Sequence, residues 1–128
     1  MNITSTAISL NVAQPRASAE FFQHHLGFTI EMEQDDFFVS LKHPAGGPNV
    51  IFLQTGLATF KPAHKAGPAG EGLLIAFVVD NVDLAHAQWV ADGAVVVTAP
   101  ETEPWGERFS QYEDPNGIII QLVQWVSG

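Results

Sequence analysis

The chain contains no cysteine. Disulfides, thiolate metal sites and cysteine nucleophiles are thereby excluded, while the redox compartment is left open. Basic residues are scarce: 5 Lys and Arg stand against 14 Asp and Glu, for a formal charge of −9. A field of that sign repels phosphate backbones and anionic headgroups, so neither nucleic acid nor a membrane surface is an expected partner, and a cationic small molecule is attracted. No apolar run reaches the roughly 18 residues of a membrane span, and the start MNITSTAISLNV lacks a basic flank. A soluble, cytoplasmic protein is the expectation.

Common catalytic arrangements are missing as well. The five histidines form no H-E-x-x-H or comparable ligand spacing. His24 and His25 are adjacent on a predicted helix and face different directions, His86 lies on a second helix, and His43 and His64 fall in connections. No Ser/His/Asp arrangement stands out. Gly46-Gly47 precedes a strand and not a helix, so it is no phosphate cradle. Catalytic residues are left unassigned.

What is present is a core and a repeat. With 128 residues, 46% of them hydrophobic, and a mean hydropathy of +0.11, the chain suits one domain with a well-filled interior. Ile8, Leu10 and Val12 alternate with Ala7, Ser9 and Asn11 as a half-buried strand. Pro15 then opens a helix with Ala19, Phe22 and Leu26 at helical spacing, and Gly27 ends it. The pattern returns with Ile75, Phe77 and Val79, a cap at Asp80 or Asn81, a stripe of Val82, Ala85 and Trp89, and Gly93. Candidate strands follow each glycine: Phe28–Glu33, Phe37–Lys42 and Val50–Gln54, then Ala94–Thr98, Arg108–Glu113 and Ile118–Trp125. Asp114-Pro115-Asn116-Gly117 before the last is a hairpin signal. Each half reads βαβββ, an α+β class, with module one at about 1–54, module two at about 73–128, and residues 55–72 between them as a mobile linker or, second, a lid.

Three segments carry a resemblance. FFQHHLGF, LLIAFVVDNVD and PWGERFSQYEDPNGIIIQL are similar to motifs of the vicinal oxygen chelate superfamily, which holds glyoxalases, bleomycin resistance proteins and extradiol dioxygenases. The resemblance spans nearly the whole chain. It implies two modules curled into a half-open barrel around a cavity, helices outside, and a homodimer. It also implies where metalloenzymes of the group would carry ligands, and here those positions fall at Ala7, Phe52, Leu74 and Gln121. Only Gln121 offers a donor, and one neutral amide cannot hold a divalent ion. No metal or other cofactor is therefore expected.

Strand alternation places Ser9, Asn11, Ala76, Val78, Ile119 and Val123 with these positions. Phe38, Phe52, Trp105 and Phe109 could add flat faces. The expected ligand-binding set is Ser9, Asn11, Phe38, Phe52, Leu74, Trp105, Arg108 and Gln121, with Arg108 open to a second role as a tie to an acidic neighbour. The resemblance thus implies a metal-free module that sequesters a hydrophobic or cationic aromatic molecule, as the bleomycin-resistance branch does. The alternative is a lyase, isomerase or dioxygenase of the same group acting on a small organic substrate, with Glu107 or a loop histidine as a base.

Overall fold

The structure, a computed structural model, describes residues 1–126. It divides into two compact units, Met1–Ala69 and Gly70 onward. The first contains β1 (Ala7–Val12), α1 (Pro15–Leu26), β2 (Thr29–Gln34), β3 (Phe38–Lys42) and β4 (Asn49–Gln54). The second contains β5 (Leu74–Val78), α2 (Val82–Ala91), β6 (Val95–Thr102), β7 (Glu107–Glu113) and β8 (Ile119–Trp125). Both units are βαβββ, and their sheets have the same order, β1-β4-β3-β2 and β5-β8-β7-β6. In each, the first strand runs parallel to the last, and the remaining pairs are antiparallel. Among the described residues, no helix is long and apolar enough to cross a membrane.

The helices form for the reasons legible in their ends. Pro15 occupies the first turn of α1, where its missing N–H costs nothing, and Gly27 closes the helix in the left-handed conformation at φ 75. In α2, Asn81 caps, its side chain accepting from the Leu84 N–H at 2.9 Å. The Gln124 side chain accepts from the Val82 N–H at 3.0 Å, so the last strand also satisfies the helix start.

One face of each sheet is packed under its helix. In the first unit, fully buried Phe22 meets Phe28 and Phe52 edge-on at 5.2 and 5.0 Å. Leu10, Val39, Leu41 and Val50 complete this core. In the second, Trp89 packs on Tyr112 at 4.5 Å above Ile120 and Leu122. Burying such side chains contributes about 1.5–3 kcal/mol each.

Residues 55–69 are not a free linker. They fold back on the first unit: Asn11 Nδ2 donates to the Lys65 and Gly67 carbonyls at 3.1 and 2.9 Å, the Ala69 N–H donates to the Asn11 carbonyl, and the Gly56 N–H donates to the Ala66 carbonyl. Backbone groups in a loop need such partners when water is excluded. Asn11 supplies them at the end of β1.

Candidate functional site

The faces opposite the helices differ between the units, and strand register makes the comparison exact residue by residue. In the first sheet, Ser9, Ile51, Ser40 and Met32 stand opposite one another across β1, β4, β3 and β2. The equivalent row of the second sheet is Ala76, Gln121, Gln111 and Thr98. There the polar side chains are linked. Thr98 Oγ1 donates to Gln111 Oε1 at 2.7 Å, Gln111 Nε2 donates to Gln121 Oε1 at 2.8 Å, and Gln121 Nε2 reaches Glu107 Oε2 at 3.4 Å. Every bond runs in one direction, so the amide orientations are fixed by their neighbours and the series ends on a carboxylate.

Glu107 opens β7 beside an indole. The Trp105 Nε1–H donates to Glu107 Oε1 at 3.2 Å, and Trp105 is 66% exposed. Its turn is built by Gly106, at φ 91, where a Cβ would meet the Val126 carbonyl oxygen at 2.8 Å. Only glycine has both the conformation and the room. Trp125 lies directly across from Glu107 in the β7–β8 register and is 59% exposed. Cross-strand partners share a face, so the carboxylate has an exposed indole on either side.

Of the sequence-predicted residues, Phe38, Leu74 and Gln121 lie on the helix-free faces, as the burial patterns of β3, β5 and β8 show, and Ser9 joins them through its register with Ile51 and Ser40. Phe52 does not. It is fully buried against Phe22, on the helix side of β4, and its ligand-binding assignment is corrected: Ile51 is the residue equivalent to Gln121. The reading was one residue out, and a one-residue slip reverses the face.

Asn11 is engaged by the 55–69 loop, as described. Arg108 takes the role of a tie to an acidic neighbour. Its Nη2 and Nε donate to Asp83 Oδ1 and Oδ2 at 2.6 and 2.8 Å, and its Nη1 donates to Thr102 Oγ1 at 2.9 Å, which commits the guanidinium to α2 and β6. That hydrogen bond, with the Coulomb attraction of Arg108, holds the Asp83 carboxyl below the usual carboxylate range against a smaller opposing effect of burial.

Three residues escaped the sequence reading. Trp125 and Gln111 are visible as an aromatic and an amide on strands, but only register puts them beside Glu107 and Gln121. His43 was read only as a residue of a connection. It instead caps α1: its Nδ1 accepts from the Ala45 N–H at 3.0 Å, which leaves Nε2–H to donate to the Leu26 carbonyl at 2.9 Å.

Residues 4–122 match the profile of the Glyoxalase/Bleomycin resistance protein/Dioxygenase superfamily, and the chain belongs to that superfamily. Solved structures with this fold include a glyoxalase/bleomycin resistance protein/dioxygenase from Nocardioides, 24% identical with a TM-score of 0.77 over 100% of this chain and 87% of that one. TnmS3, an antibiotic binding protein from Streptomyces sp. CB03234, is 22% identical with a TM-score of 0.73 over 99% of both chains. A lactoylglutathione lyase from Agrobacterium tumefaciens is 16% identical with a TM-score of 0.75 over 96% and 94%. Among proteins with curated descriptions, none matches the chain in sequence.

Proposed function

We propose that the protein binds a flat organic molecule, preferably cationic, without a metal ion, on the helix-free face of the second sheet. The observation that carries this reading is Trp105, a large aromatic residue held 66% exposed by a turn that admits only glycine at 106, next to a linked row of polar groups ending at Gln121 and Glu107. Two exposed indoles, Trp105 and Trp125, beside one carboxylate make an apolar surface of the kind that marks a ligand site. The likeness to an antibiotic binding protein is in keeping with a small-molecule ligand.

The metal-free part rests on side-chain chemistry. Ala7, Leu74 and either Phe52 or its corrected counterpart Ile51 present only carbon at the positions expected to hold ligands. Elemental analysis of the purified protein should find no stoichiometric zinc, nickel, manganese or iron. About one tightly held ion per chain would overturn this part.

Binding is tested with acridone, a neutral fluorescent tricycle, by anisotropy of the probe. Trp105→Ala should weaken its binding strongly, Gln121→Ala by about 1 kcal/mol, and His86→Ala not at all. Unchanged binding in Trp105→Ala would remove the assignment.

A homodimer belongs to the same reading. Both edges of the second sheet carry exposed apolar side chains, Val78 on β5 and Val95 and Val97 on β6, at 69%, 59% and 48% exposure. Unprotected edges of this kind invite pairing. Sedimentation should give a dimer at micromolar concentration, and a monomer would count against it.

A further inference from the structure

The acidic composition explains a general preference for cations but not where a cation would be held. The structure is more specific. Three carboxylates are paired with arginine: Asp83 has Arg108, and Glu33 and Asp36 share Arg16. Glu107 differs. Its two oxygens accept from neutral donors, the Trp105 indole and the Gln121 amide, and among the described residues no Lys, Arg or His pairs with it. The neighbouring Arg108 is turned to the other side of the strand and tied to Asp83. A carboxylate has about four lone-pair sites, so two contacts leave it with acceptor capacity and an uncompensated charge.

From this geometry we infer that Glu107 is the charge-recognising residue of the site, and that its ligand carries an N–H cation attached to an aromatic system. This inference rests on the binding reading above and deepens it. The cation's N–H donates to the carboxylate while its ring lies on Trp105 or Trp125, whose faces attract positive charge. Thr98, Gln111 and Gln121 act as positioning residues. Their hydrogen bonds, all directed toward Glu107, hold the carboxylate in one orientation, so the donor meets a prepared acceptor and not a mobile side chain. The first unit cannot do the same, because its equivalent row of Met32, Ser40 and Ile51 has no chain of amides and ends on no carboxylate.

The test compares two fluorescent tricycles of similar size, proflavine, cationic at neutral pH, and acridone, neutral. Wild type should bind proflavine more tightly, with added salt reducing the difference. Glu107→Gln keeps the shape and removes the charge. It should weaken proflavine about 10- to 100-fold, the range for a hydrogen bond to a charged group, and weaken acridone by a much smaller factor. Thr98→Val should reduce the proflavine preference by a few fold with the thermal midpoint unchanged, whereas a merely structural role would move the midpoint and not the preference.

Equal losses for both probes in Glu107→Gln, or no loss for either, would overturn the inference while acridone binding still depends on Trp105 and the binding reading stands. Failure of wild type to bind either probe would overturn both. If Glu107→Gln folds poorly, Glu107→Asp serves in its place. It retains the charge at shorter reach and should keep part of the proflavine preference, and loss of acridone binding as well would count against the proposal.

Discussion

The two modules have one topology and two different interiors. Module one packs rings among aliphatic side chains: Phe22 sits against Phe28 and Phe52, with Leu10, Val39, Leu41 and Val50 around them. Module two places a polar series at the equivalent depth. His86 Nδ1 lies 2.7 Å from Tyr112 Oη, and the phenol donates to Ser110 Oγ at 2.9 Å, with Tyr112 and Ser110 fully buried. Their open faces diverge in the same sense, with Ile51 and Ser40 in one and Gln121 and Gln111 in the other. A duplicated fold thus separates what the backbone requires from what the side chains add. Sheet order, helix position and the glycine after each helix are common to both, whereas polar chemistry is concentrated in the second.

The largest expected effect tests the apolar member of the pair. Phe22→Ala removes the ring at the centre of the three-ring cluster and should destabilise the protein by about 3–5 kcal/mol in chemical denaturation. A loss under about 1 kcal/mol would show that module one does not depend on that cluster.

The next tests the turn peculiar to module two. Gly47 and Gly106 both have positive φ, 86 and 91, but a Cβ at Gly47 meets nothing within 4 Å, whereas at Gly106 it meets the Val126 carbonyl. Gly47→Ala should cost about 1–2 kcal/mol for its left-handed backbone. Gly106→Ala should cost a further 1–3 kcal/mol or so for the forced shift, and it should also impair acridone binding by moving Trp105. Equal losses in stability would mean that the close approach to Val126 is not tight.

How far the sequence reached depends on what each signal encodes. The period-two and helical patterns, Pro15, Asn81 and the glycines gave both modules, because local chemistry decides those features. Strand ends moved by a residue, and β6 ran on to Thr102 through two irregularities that no local pattern announces. Site residues were less legible. Gln121 and Trp105 stood out against their neighbours, but Phe52 was one position off, since in a run such as Val50-Ile51-Phe52-Leu53 every residue is apolar and alternation has nothing to show. Trp125 and Gln111 become meaningful only through pairing across β7 and β8, and Asn11 only through a loop more than fifty positions away. Long-range register is not written in any window of sequence.

Tyr112 offers a sharper view of the polar interior, because it is the only tyrosine in the chain. Burial raises its pKa above the ordinary phenol value, an effect only partly offset by the hydrogen bond with Ser110. The folded state therefore holds the proton more tightly than the unfolded state, and the contribution of Tyr112 to stability should be constant below the ordinary phenol range and fall as pH rises through and above it. Tyrosinate absorbance should show a titration displaced to high pH and coincident with unfolding. Tyr112→Phe should cost about 1 kcal/mol near neutrality by leaving His86 and Ser110 without their shared partner, and it should remove the alkaline decline. A titration at the ordinary phenol value with the fold intact would contradict the buried series.

The smallest expected effect concerns the surface of module two, where Arg108 joins Asp83 on α2 to β7 by two hydrogen bonds. Module one has a looser counterpart in Arg16, whose contacts with Glu33 and Asp36 are 3.3 and 3.5 Å. The Asp83 carboxyl is held below its usual range, first by the hydrogen bond from Arg108 and then by its charge. Because the folded state binds the proton less readily than the unfolded state, this contribution is present above the ordinary carboxylate pKa and is lost as pH falls through the depressed folded value. Asp83→Asn should therefore lower stability slightly at neutral pH and flatten the acid side of the stability profile. The pair is solvent-exposed, so screening keeps the effect small and added salt should shrink it further. Thermal midpoints measured from neutral pH down into the acid range decide the matter: identical acid limbs in wild type and Asp83→Asn would mean that the closer geometry in module two confers nothing beyond the looser pair in module one.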